Sequence, residues 1–234
     1  GYIEALDRQW QPTRDLRLSS RDANEEKSMN THLHILEPYT NLLRIWNNET
    51  VAQAQKRLIN DFRHHIVNPD TGHLNLFFDR EWNSPYYIVS YGHDIEAAWL
   101  LYEAAEVLGD KDLLAEVSRL SVRIAEAAYE GLQPDGSMIY ETTDKHTDKD
   151  RHWWVQAETI VGSLYIYRIT GDEKYFDIAR RCWEYVKANL IDHENGEWLW
   201  SIYADGAPNR DDDKTGFWKC PYHNARMCME IFTI

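Results

Sequence analysis

The stretch that decides the fold is residues 91–131, which read YGHDIEAAWLLYEAAEVLGDKDLLAEVSRLSVRIAEAAYEG. Apolar residues recur there at the spacing of a helix face. They are Ile95, Trp99, Tyr102 and Ala105 in the first half, and Leu113, Leu114, Val117, Leu120 and Ile124 in the second. Leu108-Gly109-Asp110 interrupts the pattern, as a glycine at the end of a helix does. The stretch therefore predicts two helices, 91–108 and 112–131, that fold back as a hairpin.

The same pattern recurs along the chain. It predicts further hairpins from 28–46 with 50–67 and from 151–170 with 173–190, and a last helix that begins near residue 220. Turn signals that contain a glycine follow the hairpins at intervals of roughly sixty residues. These turns are Pro69-Asp70-Thr71-Gly72, Pro134-Asp135-Gly136 and Glu194-Asn195-Gly196. A repeat of this length indicates that each hairpin is one unit of a larger helical array.

Repeated helical hairpins can close into a toroid or continue as an open solenoid. The long loops, which hold short extended runs, favour the toroid, because solenoid repeats are usually shorter and more tightly connected. We therefore predict an all-α toroid, with residues 1–234 as a single domain. Residues 1–10 read as the end of a helix without a cap or an initiating Met. We accordingly expect an incomplete barrel that lacks its N-terminal hairpins and self-associates through the surfaces those hairpins would cover.

Composition excludes several classes of protein. The formal net charge of -14 opposes binding to nucleic acid or to an anionic membrane. No apolar run approaches the roughly 20 residues that span a bilayer. Cys182, Cys220 and Cys228 form no C-x-x-C pair and are odd in number, which argues against a disulfide framework and against a thiolate zinc site. We expect a reduced, cytoplasmic protein.

Polar and aromatic residues collect at the start of the first helix of each hairpin. The segments are 30–37, 90–96, 151–158 and 221–224. In a ring of hairpins these ends converge, so histidines, carboxylates and indoles would line one cavity of the kind that small ligands occupy. A single histidine at a helix start is usually structural, but the repeated placement favours a functional role for His34, His93 and His223. His32 and His152 are interpreted as structural or supporting residues.

Metal binding is the main alternative for these histidines. His32 and His34 would point to different faces of a helix, so a site would have to be assembled across repeats, and we predict none. The neighbouring Trp153 and Trp154 cannot both face the cavity, so one is expected in the core and the other in the cavity wall. Aromatic faces suit the C–H surface of a sugar ring, and carboxylates suit its hydroxyls.

Four segments resemble the N-acylglucosamine 2-epimerase superfamily, and within it the cellobiose 2-epimerases. They are NTHLHILE at 30–37, SYGHDIEA at 90–97, HWWVQAE at 152–158 and PYHNARM at 221–227. Together they extend over nearly the whole chain. The resemblance implies an (α/α)6 barrel with a central active site, of which this chain is the C-terminal part. It also implies reversible epimerisation at C2 of a reducing-end glucose without a cofactor.

The resemblance also implies roles for particular residues. His93 and His223 match an acid/base pair, and His34 matches a third, assisting histidine. The residues that would hold or orient the sugar are Asn30, Glu96, Trp154, Glu158 and Trp218. Because Glu96 follows His93 by one helical turn, we expect its carboxylate to orient that imidazole.

Three other functions stay open on the residues alone. An aldose–ketose isomerase would use the same enediolate but return the proton to C1. A glycoside hydrolase would cast Glu96 and Glu158 as its two carboxyl groups, which leaves the repeated histidines unexplained. The third alternative is a noncatalytic sugar-binding fragment.

Overall fold

A computed structural model describes residues 1–17, 19 and 22–234. The helices within these residues are α1 (Met29–Ile45), α2 (Glu49–Asp61), α3 (Tyr91–Leu108), α4 (Lys111–Ala128), α5 (Trp153–Thr170), α6 (Glu173–Tyr185) and α7 (Tyr222–Ile231). Single π-helical turns extend α2 (Phe62–Ile66) and α6 (Val186–Leu190), and a 3-10 turn (Tyr129–Gly131) extends α4. The three predicted hairpins and the last helix are confirmed, each to within a few residues.

The described strands are short. They are β1 (Lys27–Ser28), β2 (Phe77–Phe78), β3 (Ile88–Ser90), β4 (Glu141–Thr143), β5 (Thr147–Asp148), β6 (Arg151–His152) and β7 (Ser201–Ile202). Antiparallel pairs form between β1 and β2, between β4 and β5, and between β6 and β7. Since β1, β3 and β6 run directly into α1, α3 and α5, these strands fix where the first helix of each hairpin begins.

A glycine followed by a capping aspartate joins the two helices in the second and third hairpins. Gly171 ends α5 with φ at +69°, and its N–H donates to Tyr167 O at 2.7 Å. A residue with a side chain is strained in this left-handed conformation, which explains why glycine stands there. The next residue, Asp172, caps α6 by accepting from Lys174 N at 3.0 Å. Gly109 with Asp110 does the same between α3 and α4, where Asp110 Oδ1 accepts from Leu113 N.

The loop after each hairpin also repeats. A single antiparallel bridge closes each loop: Val67 with Leu74, Leu132 with Met138, and Ile191 with Trp198. The glycine of each predicted turn, Gly72, Gly136 and Gly196, has positive φ. The predicted internal repeat is therefore present in the loops as well as in the helices.

The chain divides into two compact units, so the prediction of a single domain stays a prediction. The first comprises residues 1–88 and 100–120, and the second comprises 89–99 and 121–234. In the first unit α1 packs on α2 around leucine, isoleucine and phenylalanine side chains. Gln55 is buried there and donates to Thr40 Oγ1 at 3.1 Å and to Ala104 O at 2.9 Å.

The second unit is organised around α5, which is buried on nearly every side. It packs against both α6 and α7. Gly162, near its middle, lies against Ile95, where an added Cβ would come within 2.6 Å of the isoleucine side chain. This close approach brings the first turns of α3 and α5 together, and it thereby positions the polar residues that those turns carry.

The prediction that residues 1–10 end a helix is wrong. Leu6 forms an isolated antiparallel bridge with Pro12, and Asp7 Oδ1 accepts from Gln9 N and Gln11 N, both at 2.8 Å. An aspartate that bonds to nearby backbone N–H groups stabilises a turn in competition with a helix. Trp10 lies at φ +62°, outside the helical region.

Cysteine reactivity follows from burial. Cys182 is fully buried, and burial raises the pKa of its thiol, while Cys220 and Cys228 are exposed. Because the thiolate is the reactive form, we expect a thiol-specific reagent to label Cys220 and Cys228 quickly and Cys182 only on unfolding. Peptide mass mapping of the labelled protein checks this, and rapid labelling of Cys182 in the native protein would contradict it.

No helix in residues 1–17, 19 and 22–234 combines the length and the apolar composition that a membrane crossing demands.

Candidate functional site

The first turns of α3, α5 and α7 carry His93, Trp154 and His223 in the second unit. The Trp154 ring centroid lies 4.8 Å from that of His93 and 5.4 Å from that of His223. The indole is 8% exposed, and both imidazoles are partly exposed. The site therefore has two titratable rings in contact with the same indole.

Ser90 lies beside the first of these histidines. Its hydroxyl is 2.8 Å from His93 Nδ1. The residue ends β3 and is almost fully buried, so its position is fixed by the backbone. We expected Glu96 to orient His93, but the Glu96 carboxylate accepts a hydrogen bond from Arg226, and the Ser90 hydroxyl is the neighbour of Nδ1.

Gly92 makes room for the indole. A Cβ at this position would lie 2.5 Å from the Trp154 ring and 2.8 Å from Val155. Because both neighbours are buried, neither has free space into which it can move. The absence of a side chain at residue 92 therefore allows Trp154 to pack against the start of α3.

We expect Gly92→Ala to destabilise the protein by about 1–3 kcal/mol, the usual cost of overpacking. Gly216→Ala is the matched control, since its Cβ would meet Asp213 at an ordinary 3.8 Å. Urea unfolding of both variants checks the prediction. Equal stabilities for the two variants would show that Trp154 is not held as tightly as the contacts indicate.

A buried ionic network lies beneath His223. Glu158 Oε1 accepts from His223 Nδ1 at 2.8 Å and from Arg226 Nη2 at 2.8 Å. The same guanidinium nitrogen donates to Glu96 Oε1 at 2.6 Å. Trp99 Nε1 donates to Glu158 Oε2 at 2.9 Å. Since Glu96 and Glu158 are 1% and 0% exposed, Arg226 is the cation that makes their burial as anions tolerable.

The protonation of Glu158 follows from these contacts. Burial alone would raise its pKa, but the Arg226 charge and the hydrogen bond from His223 outweigh burial and lower the pKa to about 2. The group is therefore a carboxylate at neutral pH. A carboxylate accepts hydrogen bonds and donates none, so the Nδ1 atom of His223 carries a proton.

Three residues of this network have the spacing of metal ligands. Ligand atoms of Glu96, Glu158 and His223 all lie within 4.8 Å of one another. A metal ion there would stand next to the Arg226 guanidinium, which already bonds to both carboxylates. The carboxylates of Glu96 and Glu158 thus already have a counter-cation in Arg226. A metal ion beside them would be repelled by the guanidinium charge.

A second polar group supports the start of α7. Lys219 is almost fully buried, and its Nζ donates to Glu197 Oε1 at 2.8 Å while lying 5.4 Å from the centre of the Trp153 ring. Asn224 Nδ2 donates to the same Glu197 oxygen at 3.0 Å. Trp153 packs on Trp200 and lies 6.3 Å from the His223 ring, while Trp154 contacts His93 and His223. Both indoles are buried, so the division into one core indole and one cavity-wall indole stays a prediction.

The other predicted residues are on α1 and in the loop before α7. Asn30 and His34 are on α1 in the first unit, where Asn30 is half-buried and His34 is exposed. Trp218 lies in the loop before α7, is 51% exposed and packs edge-on against Phe217 at 4.9 Å. The site built around Trp154 therefore contains His93, Glu96, Glu158 and His223, but none of the contacts described places Trp218 in it.

The two histidines interpreted as structural are both buried. The Nδ1 atom of His32 lies 2.7 Å from Ser28 O, and its Nε2 accepts from Tyr2 N at 2.8 Å. Burial lowers the pKa of His32, which keeps the ring neutral. His152 stacks on Tyr140 with ring centroids 4.0 Å apart. These contacts with backbone and aromatic rings fit the structural interpretation.

The site also contains Ser90, Trp99 and Arg226, which were not predicted as site residues. A signal for Arg226 was present, because it follows His223 by three residues and so shares its helix face. An arginine on an inward face needs a carboxylate partner, and Glu96 and Glu158 were the acidic residues already assigned to the site. Ser90 and Trp99 gave no comparable signal.

The chain is similar to known proteins along its length. A family model described as N-acylglucosamine 2-epimerase (GlcNAc 2-epimerase) matches residues 2–226. A cellobiose 2-epimerase from Bacteroides fragilis is 57% identical over 233 residues, covering 99% of this chain and 59% of that protein. A cellobiose 2-epimerase from Ruminococcus albus is 42% identical over 234 residues, covering 100% of this chain and 60% of that protein.

A solved structure described as a sugar epimerase from a ruminal bacterium superposes with a TM-score of 0.95 at 40% identity. The superposition covers 100% of this chain and 60% of that one. The chain thus spans about 60% of the length of the relatives it matches. The predicted fold class, part of an (α/α)6 barrel protein, is confirmed by this similarity. The chain belongs to the N-acylglucosamine 2-epimerase family.

Proposed function

We propose that the complete protein is a sugar 2-epimerase that interconverts glucose and mannose at the reducing end of a β-1,4-linked disaccharide such as cellobiose. The observation that carries the proposal is the pair of imidazoles, His93 and His223, in contact with the same indole. The substrate class rests on the relatives, two of which are named cellobiose 2-epimerases.

The chemistry explains why histidines suit this reaction. In the open-chain aldose, the C2 proton is alpha to the aldehyde, so a base can remove it to give an enediolate. An unperturbed imidazole has a pKa of about 6.5, so one ring can accept a proton while another donates one near neutral pH. Return of the proton to the opposite face of C2 inverts that carbon and completes the epimerisation.

The two histidines could share this work in two ways. In the two-base route, one ring removes the proton from one face and the other ring delivers a proton to the opposite face. In the one-base route, a single ring serves both faces after the intermediate rotates about C2–C3. The contact of both rings with Trp154 supports the two-base route, because two separate proton carriers then border one sugar-sized surface.

The remaining residues are assigned to binding. Trp154 would pack its indole on the C–H face of the sugar, as aromatic rings do. Glu96 and Glu158 would orient the sugar through the network that includes His223 and Arg226. For His34, the assisting role proposed above stays a prediction, as do the sugar contacts of Asn30 and Trp218.

Product analysis tests the proposal. The complete protein is incubated with cellobiose, and the products are separated and identified by NMR. The proposal predicts glucosyl-mannose. Glucosyl-fructose would indicate an aldose–ketose isomerase, and free glucose would indicate a glycoside hydrolase. Unchanged cellobiose would indicate a noncatalytic protein. Each of these three results would contradict the proposal for this substrate. The His223→Asn variant, prepared in parallel, excludes a contaminating enzyme.

We also propose a cytoplasmic location. Cys182, Cys220 and Cys228 are all free thiols, and reduced thiols persist in the cytoplasm. Fractionation of cells that express the protein tests this. Self-association through uncovered helix surfaces stays a prediction.

A further inference from the structure

The Glu158 carboxylate beneath His223 is itself held by Arg226. Arg226 follows His223 by one helical turn on α7, and its side chain is only 7% exposed. One guanidinium nitrogen bonds to Glu96 from α3 and to Glu158 from α5. The guanidinium carbon lies 5.0 Å from the centre of the Trp99 ring and 4.4 Å from that of Tyr222, so the group is enclosed.

Without a cation these two carboxylates could not both be ionised. Both are almost fully buried, and both place Oε1 within 2.8 Å of the same Arg226 nitrogen. Two carboxyl groups that share a buried site retain a proton between them, because their charges repel in a medium of low dielectric constant. His223, also on α7, touches both carboxylates, and the Tyr222 hydroxyl accepts a hydrogen bond from Arg226.

The protonation of Glu158 decides whether Nε2 of His223 can act as a base. When Glu158 is a carboxylate, it accepts from Nδ1–H, and the neutral ring presents the lone pair of Nε2. When Glu158 is a carboxylic acid, its O–H can donate to Nδ1, and the neutral ring then carries its proton on Nε2. Only the first arrangement allows Nε2 to remove a proton.

We propose that Arg226 is a positioning residue that keeps Glu158 ionised and so sets the tautomer of His223, with the proton on Nδ1 and the base at Nε2. The role rests on the proposed function, because a base is needed only if C2 is deprotonated. Arg226 acts through Glu158 and is not itself assigned a contact with the sugar. Ser90 does not fix the tautomer of His93 in the same way, because a hydroxyl can donate to His93 Nδ1 or accept from it.

Nitrogen NMR of the complete protein labelled with 15N-histidine tests the proposal. The His223 signals are assigned by their loss in His223→Asn, and spectra are recorded at a pH at which the ring is neutral. The wild type should show a protonated Nδ1 and a bare Nε2. A neutral His223 with its proton mainly on Nε2 would overturn the proposal, and this result does not depend on the Arg226 variants.

Two variants then separate charge from packing. Arg226→Lys keeps the cation and should retain the Nδ1–H tautomer and most of kcat. Arg226→Met should populate the Nε2–H tautomer and lower kcat by roughly 10², the lower end of what general acid–base catalysis contributes, with a smaller effect on KM. A folded Arg226→Met protein with the wild-type tautomer would contradict the proposal, whether or not kcat had fallen.

The NMR readout is independent of turnover, so the two proposals can fail separately. If cellobiose is not epimerised but His223 has the expected tautomer in the wild type and loses it in Arg226→Met, the proposed function fails and the structural role of Arg226 stands. If cellobiose is epimerised and the tautomer does not respond to Arg226, the function stands and the inference about Arg226 fails.

Discussion

His223→Asn and His93→Asn will each lower kcat on cellobiose by at least the roughly 10²–10⁴ that general acid–base catalysis contributes. Asparagine keeps the approximate size of the side chain and some hydrogen bonding, but it cannot accept and release a proton near neutral pH. Steady-state kinetics of the complete protein, with the products identified, measure the effect. Circular dichroism confirms that each variant is folded.

Two other histidines serve as controls. His146 is exposed in the turn between β4 and β5, so His146→Asn should leave kcat unchanged. His152→Asn should cost much less than either catalytic variant, because His152 stacks on Tyr140 and is interpreted as a structural residue. The assignment would be wrong if His152→Asn were inactive while His93→Asn and His223→Asn kept near-normal rates, even though the family assignment would stand.

The second large effect concerns stability. Arg226→Met should lower the free energy of unfolding by about 3–5 kcal/mol at neutral pH, because it leaves Glu96 and Glu158 buried without their cation. Arg180→Met removes an exposed pair with Asp177 instead and should change stability by less than about 1 kcal/mol. Urea unfolding of both variants and the wild type gives the comparison.

The penalty for losing Arg226 should shrink in acid. In the wild type the pKa of Glu158 is lowered to about 2, so its stabilising contribution is complete above its ordinary pKa of 4.5 and is lost as the pH falls from there toward 2. In Arg226→Met the uncompensated carboxylates are relieved by protonation as the pH falls. Both changes reduce the difference in the free energy of unfolding between the wild type and Arg226→Met. A difference in the free energy of unfolding that stayed constant or grew as the pH was lowered from about 5 to about 3 would contradict the role given to the network.

The elements that could be predicted from the sequence depend on local signals. The helices around Gly109 and Gly171 follow from apolar spacing and from a glycine that ends one helix before an aspartate that caps the next. His93 and His223 could be singled out because similar polar clusters stand at the starts of successive hairpins. A repeat thus converts a weak single-residue signal into a stronger one.

The unpredicted parts depend on contacts between distant residues. Arg226 and Glu96 are 130 positions apart, and nothing in the local sequence of either specifies the other. The partner of His93 was assigned to Glu96 because of its helical spacing, whereas the Ser90 hydroxyl at the preceding strand end lies beside Nδ1. Residues 1–10 were interpreted as the end of a helix without a cap, whereas the Asp7 side chain stabilises a turn there.

The most direct test of the central claim, that histidines move a proton at C2, is epimerisation in deuterated water. The complete protein is incubated with cellobiose in D2O, and the glucosyl-mannose product is examined by proton and deuterium NMR. A proton held on an imidazole exchanges with solvent before it is returned, and in the two-base route the second ring delivers a solvent-derived deuteron. If histidines move the proton, the mannose unit carries deuterium at C2, and His223→Asn abolishes this signal. A product that retains all of its original hydrogen at C2 would contradict this claim.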